Sequence, residues 1–263
     1  MAILFDLDGV FYRGDRAIPG AAAVAEWARA RAIPHLYLTN TTSRTRAALR
    51  DKLAALGIAT DVGHILPPPV AAVAWCRRHL AQRPVALFVA EQTRAEFAEL
   101  PAYRDGGEVG AVIVGDLGEG WTFARLNEAF RLLMRRPPPV LIALGMTRYW
   151  QAADGLRLDV APFVMALAHA ADLQPVVLGK PAAAFFATAV ELLGPAVGPR
   201  VVMVGDDIRG DVAAAQQAGL SGVLVRTGKF RETDLQLGIA PDAVLESIAD
   251  LPAWYEHEFE PGH

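Results

Sequence analysis

The strongest constraint on the fold is an alternation along most of the chain: short apolar runs separated by longer segments of helical period. The runs are AILF, HLYL, VALFV, GAVIVG, VLIAL, PVVL, RVVMVG and GVLV. Between them lie Ala-, Leu- and Arg-rich stretches such as AAAVAEWARARA, TRAALRDKLAAL and DVAAAQQAG. Strands that alternate with helices form parallel sheets covered by those helices, so the predicted fold class is α/β. Local signals agree with this reading. Ser43 and Thr122 precede helical segments, Pro181 falls near the first turn of another, and Gly57 and Gly219 sit where helices should stop. Prolines at 67–69 and 137–139 mark loops or helix starts. GAVIVGD and RVVMVGDD look alike, but a strand followed by a turn explains both without an internal repeat.

Composition narrows the function classes. With 263 residues, 53% of them hydrophobic, the chain can bury one large core or two smaller ones. A formal net charge of −4 offers no basic face, so no nucleic-acid partner is expected. Cys76 is the only cysteine, which excludes an intramolecular disulfide and a multi-thiolate metal site. The opening MAILFDLDG has no basic segment before its apolar run and carries Asp6 and Asp8, unlike a secretory signal. No apolar run approaches the ~20 residues that cross a bilayer. The expectation is a cytoplasmic protein with no membrane partner.

Four places carry chemistry, each just past an expected strand. In DLDGV, Asp6 ends a strand and Asp8 follows two residues on, an interval that returns a side chain to the same side. Ligands of open α/β sheets collect beyond the carboxyl ends of strands, where this pair sits. One carboxylate can attack phosphorus, and a second can protonate the leaving oxygen and later deprotonate water. Taken alone, the same pattern fits a solvated acidic turn equally well. Thr39 and Asn40 follow the strand HLYL and offer a hydroxyl and an amide to phosphate oxygens, although such clusters are more often plain helix caps. Lys180, between Gly179 and Pro181, could neutralise nucleophile and phosphate together; by itself it is an ordinary loop lysine. In VVMVGDDIRGD, the carboxylates of Asp206, Asp207 and Asp211 crowd one strand end, which is repulsive without a cation. Magnesium suits them, with Asp206 as direct ligand and with Asp207 and Asp211 partly occupied as caps of the next helix. The set is far more specific than any member.

DLDGVFYRG, LTN, GKP and GDDIRGD resemble the four motifs of the haloacid dehalogenase-like phosphohydrolase superfamily. The long interval between TN and GKP, and the segment VRTGKF, are similar to its para-nitrophenylphosphatase-type branch. The resemblance spans nearly the whole chain apart from about the last dozen residues. It implies a Rossmann-like, doubly wound parallel-sheet core made from residues 1–81 and 175–263, with a large α/β cap inserted at 82–174. It implies Asp6 as nucleophile and metal ligand, and Asp8 as acid/base and a main-chain ligand of Mg2+. Asp206 is then a further metal ligand, and Thr39, Asn40 and Lys180 hold the phosphoryl group. The substrate would be a small phosphorylated compound, and two chains could pair through their caps. TNT departs from relatives that follow TN with Asn, Glu or Ser, which weakens any transfer of a specific substrate. A cap loop at 144–154 brings Thr147, Arg148, Tyr149 and Trp150 as candidate leaving-group contacts.

Rival patterns are weaker. RTGKF lacks the spacing of a phosphate loop, and Phe230 stands where Ser or Thr is required. GDLGEG is not a dinucleotide fingerprint, and Asp116 reads as a turn residue. The histidines have no zinc spacing; His35 reads as a core residue, and His257 and His263 as part of a polar tail that is a candidate for disorder. A phosphotransferase or phosphomutase on the same scaffold would share every motif. A binding protein that had lost its chemistry would not need every charged position filled by a competent residue.

Overall fold

A computed structural model of the chain describes residues 1–152, 154–195 and 200–259. The chain divides into two compact units. One comprises residues 1–39, 46–66 and 189–263, and the other residues 40–45 and 67–188.

The first unit is built on a six-stranded parallel sheet. Across the sheet the strands run Ala243–Leu245, Ser221–Val225, Val201–Gly205, Ala2–Asp6, His35–Leu38 and Ile65–Leu66. In chain order this is the 3-2-1-4-5-6 arrangement of a doubly wound Rossmann sheet. Every residue of Ala2–Asp6, His35–Leu38 and Val201–Gly205 is buried. That is why these strands read as continuous apolar runs rather than alternating ones: helices and loops cover both faces of a parallel sheet. The helix Ala21–Ala30 buries Ala21, Val24, Ala25 and Ala28, the single stripe that a 3.6-residue period produces. Phe5, Phe11 and Tyr37 pack ring on ring in this core, with Phe5 and Tyr37 stacked at 5.5 Å and Phe11 edge-on to both. Removing one such ring would cost about 3–5 kcal/mol.

The second unit has its own parallel sheet, in the order Val176–Val177, Val140–Ala143, Ala111–Val114, Val85–Phe88. Phe88, Val112, Leu133, Leu141 and Val164 lie in its core. Thr122 caps the helix Phe123–Leu133 by accepting the Arg125 N–H at 3.2 Å, as its place in the sequence suggested. Asp159 opens the neighbouring helix Val160–Ala171. Both units are α/β with parallel sheets, in agreement with the fold class read from the alternation. One helix start differs. The helix after HLYL begins at Arg46, so the residue preceding it is Thr45 rather than Ser43, whose carbonyl instead accepts a bond from Gln92 at 3.4 Å. The helix Leu251–Phe259 carries His257, so ordered structure extends further than the polar composition implied, while His263 lies outside the described residues. Among the described residues no helix is long and apolar enough to cross a membrane.

Candidate active site

Strand order determines where a site can form. The strands Ala2–Asp6 and Val201–Gly205 are neighbours in the sheet, and the chain continues from them in opposite directions across it, to His35–Leu38 on one side and Ser221–Val225 on the other. This is the switch point at which doubly wound sheets bind ligands. Asp6 ends the first of these strands, and Asp206 immediately follows the second. Asp211 comes from the π-helical segment Ile208–Ala213 that continues from it. All three carboxyl groups are buried, and one oxygen from each lies within 4.8 Å of the others. The motifs grouped Asp206, Asp207 and Asp211 at one strand end; the buried trio instead holds Asp6 with Asp206 and Asp211, and Asp207 is turned to the helical segment that follows.

The surrounding backbone stabilises negative charge. The Lys229 N–H donates to Asp206 Oδ2 at 2.6 Å, and the Asp207 N–H donates to Asp211 Oδ2 at 3.2 Å. Asp207 itself caps the π-helical segment, accepting the N–H groups of Arg209 and Gly210 at 3.0 and 2.8 Å. Burial pushes the Asp207 carboxyl up, but the Gly210 bond, the Lys229 charge and the Arg209 bond outweigh burial, so its pKa lies below the ordinary value. Lys229 Nζ stands 3.5 Å from Asp207 Oδ2. Partial burial works against the ammonium, yet the carboxylates of Asp207, Asp206, Asp211 and Asp6 hold its pKa above the ordinary value.

Two loops close around Asp206. Gly9 and Gly228 both have positive φ, and a Cβ added to either would lie 1.9 Å from Asp206 Oδ2. Thr227 Oγ1 donates to the Gly9 carbonyl at 2.5 Å and fastens one loop to the other. Asp8 is exposed and lines the adjoining cavity together with Asp206 and Lys229. Thr39, at the end of its strand, is buried, and its N–H donates to the Leu66 carbonyl. Asn40 and Lys180 form a second group, in the other unit. The Asn40 amide accepts the Lys180 N–H at 2.8 Å and donates to the Lys180 carbonyl at 2.9 Å. Lys180 is buried.

Residues 227–229 were missed in the sequence. The segment VRTGKF marks the resemblance to the para-nitrophenylphosphatase-type branch and is not a phosphate loop, but neither reading gives its residues a place at the site. A signal existed, because it follows the strand Ser221–Val225 of the same sheet and so lies at the same carboxyl edge as the carboxylates. In the second unit the strands Tyr149–Ala152 and Gly155–Leu158 pair antiparallel, with Tyr149 and Trp150 half exposed and Arg148 over the Tyr149 ring at 5.7 Å. Asp116 accepts the Gly118 N–H, as a turn residue does.

The donor set of the trio is all carboxylate oxygen, which suits a hard divalent cation such as magnesium and poorly suits a softer metal. Three like charges this close also require compensation. Fold and site together define a hydrolase with a Rossmann-like core and an acidic centre at the strand ends. The chain belongs to the haloacid dehalogenase-like hydrolase family and stands among its phosphatases. A Haloacid dehalogenase-like hydrolase model matches residues 3–101, and a HAD-hydrolase-like model matches residues 177–251. Phospholysine phosphohistidine inorganic pyrophosphate phosphatase of Bos taurus is 37% identical over 238 residues, covering 88% of this chain and 85% of that protein. Haloacid dehalogenase-like hydrolase domain-containing protein 2, also of Bos taurus, is 37% identical over 251 residues, covering 94% and 92%. Among solved structures, a thermostable NPPase variant from Geobacillus stearothermophilus superposes with a TM-score of 0.83 at 26% identity, covering 95% of this chain and 96% of that one. The solved neighbours are phosphatases of this fold with a cap domain.

Proposed function

We propose that the chain is a magnesium-dependent phosphatase of small phosphorylated compounds that works through an aspartyl-phosphate on Asp6. The observation that carries this reading is the buried trio Asp6, Asp206 and Asp211 at the switch point of the sheet, with Asp8 in the adjoining cavity. Asp6 and Asp206 would hold the cation through carboxylate oxygens and Asp8 through its main-chain oxygen, with Asp211 supporting from beside them. When bound, the cation offsets the repulsion between the Asp6 carboxylate and an incoming phosphate dianion.

One oxygen of Asp6 attacks phosphorus while the bond from phosphorus to the leaving oxygen breaks. Asp8, protonated, delivers its proton to that leaving oxygen. Asp8, now a carboxylate, takes a proton from water as the water oxygen attacks the aspartyl-phosphate. Phosphate departs, Asp6 is regenerated and Asp8 is protonated again. Thr39, Asn40 and Lys180 hold the phosphoryl oxygens. Asn40 has a further amide hydrogen besides the one given to the Lys180 carbonyl, and its acceptor fixes the lysine backbone. The cap is assigned to residues 82–174.

The name of the Bos taurus relative refers to phospholysine, phosphohistidine and inorganic pyrophosphate. Phosphomonoesters, phosphoamidates and pyrophosphate are accordingly the substrate classes to screen. Asp6→Asn should lower turnover by about 10⁴-fold or more while the circular dichroism spectrum is unchanged, because an amide of the same shape cannot form the acyl-phosphate. Near-normal phosphate release by the purified variant would reject the covalent route.

A further inference from the structure

The cavity beside the carboxylates is larger than the reaction requires. Its volume is about 580 Å³, within the range that accommodates a whole ligand rather than a single phosphoryl group. Asp8 and Asp206 make part of its wall acidic, and Arg13 and Arg231 also line it. We propose that these two arginines form a second anion subsite, so that preferred substrates carry a second phosphate on the leaving group. The inference rests on the phosphatase reading above and adds to it a substrate class.

Both side chains are exposed, and among the described residues neither has an ion-pair partner. Some other arginines of this chain have a carboxylate partner. Arg226 pairs with Glu232 and Glu246, Arg83 with Glu108, and Arg157 with Asp154. Lys229 lines the same cavity, but its ammonium is already directed to Asp207. The two guanidiniums therefore bring to this wall donors that no carboxylate among the described residues takes up.

Their positions are determined by the backbone. Arg13 lies in the hairpin of Tyr12–Arg13 and Arg16–Ala17, which is joined to the nucleophile loop by the Gly9 N–H bond to the Tyr12 carbonyl at 2.7 Å. Within that hairpin Arg13 is directly opposite Arg16, a like-charge pairing that is unfavourable unless an anion offsets it. Arg231 comes three residues after Gly228, on the loop that Thr227 fastens to Gly9 and that Lys229 fastens to Asp206. The Arg231 N–H donates to Asp234 Oδ2 at 2.8 Å, which fixes the loop exit. Two loops clamped at their glycines thus present one guanidinium each to a shared cavity. A planar fork of donors on each suits a phosphate dianion, which can accept from both.

The test uses two substrates that differ only in the second anion, propyl phosphate and propane-1,3-diol bisphosphate, with free magnesium held constant. The quantity read is the ratio of kcat/KM for the bisphosphate to that for the monophosphate. The wild-type ratio should exceed one and fall as salt is raised, since exposed charges are screened. Arg13→Gln and Arg231→Gln should each lower the ratio about fivefold, as expected for solvated ion pairs, and the double variant should lower it further. Arg13→Lys should retain part of it. A ratio at or below one in the wild type, or an unchanged ratio in all variants, would overturn the subsite and leave the phosphatase reading standing. Failure of the wild-type protein to hydrolyse either ester would overturn both.

Discussion

Asp206 is confined by two glycines that belong to different loops, and this makes those glycines part of the chemistry. A methyl group at 228 would fall 1.9 Å from Asp206 Oδ2 and 2.5 Å from the Gly9 Cα, at a φ of +59° that side chains seldom adopt. The backbone atoms of Gly9 cannot yield as a flexible side chain would. Gly228→Ala should therefore displace the Asp206 carboxylate and lower kcat/KM about 100-fold, the scale of a 1 Å misplacement. Kinetics on a generic phosphate ester, with circular dichroism as a control for folding, will check this. Wild-type activity would mean that the loops part without affecting the carboxylate. At this scale the sequence was informative where side chains carry charge: Asp6, Asp8 and Asp206 follow apolar strands, and their spacing exposes them. It was silent on backbone contributions. The N–H of Lys229 and the missing side chain of Gly228 have no signature in a charge pattern.

Among the elements, the strand His35–Leu38 begins with a buried imidazole stacked on His64 at 4.7 Å, and Nδ1 lies 2.7 Å from the Ile33 carbonyl. Burial lowers the His35 pKa, the Ile33 bond opposes that shift, and the nearby His64 adds to it, leaving the value below the ordinary 6.5. Arg29, Asp61 and His64 line the same cavity. As pH falls below about 6.5 the unfolded chain takes up a proton that the folded chain resists, so stability is lost in that window and is complete above it. The melting temperature should thus drop between pH 7.5 and pH 5.5, conditions that bracket the ordinary value. His35→Phe should flatten that dependence whatever it does to the plateau. An equally steep slope in the variant would exclude His35 as the titrating group. In the core sheet, two strands went unread in the sequence. Ile65–Leu66 and Ala243–Leu245 are the two edges of the core sheet, with two and three residues. Edge strands are kept short in native sheets, and so small an element has no room to display a period. The interior strands of this sheet, buried on both faces, were legible, as were the second sheet's edges Val176–Val177 and Val85–Phe88, which lie within the longer apolar runs PVVL and VALFV.

For the molecule as a whole, three buried carboxylates in one cluster make stability depend on what neutralises them. Magnesium that binds only the folded chain adds about 2.7 kcal/mol at a hundredfold excess over its dissociation constant. In a chain of this length that corresponds to a rise in Tm of about 5–10 °C. Asp206→Asn should abolish most of that rise, and should be no less stable than the wild type once metal is chelated, because the amide relieves repulsion. A thermal-shift titration of both proteins with magnesium gives the answer, and a wild-type Tm indifferent to the metal would remove magnesium from the site.

The pairing of residue 2 with residue 201 has a consequence for how the protein is made. On the ribosome the strand Ala2–Asp6 is made long before its neighbour Val201–Gly205. Loop closure over so long an interval is slow, and the apolar edge of the first strand waits for it. Throughout that wait an intact parallel sheet, and with it the cluster of carboxylates, does not exist. A nascent or prematurely terminated chain therefore releases no half-built catalyst, only an exposed strand edge of the kind that chaperones and proteases recognise.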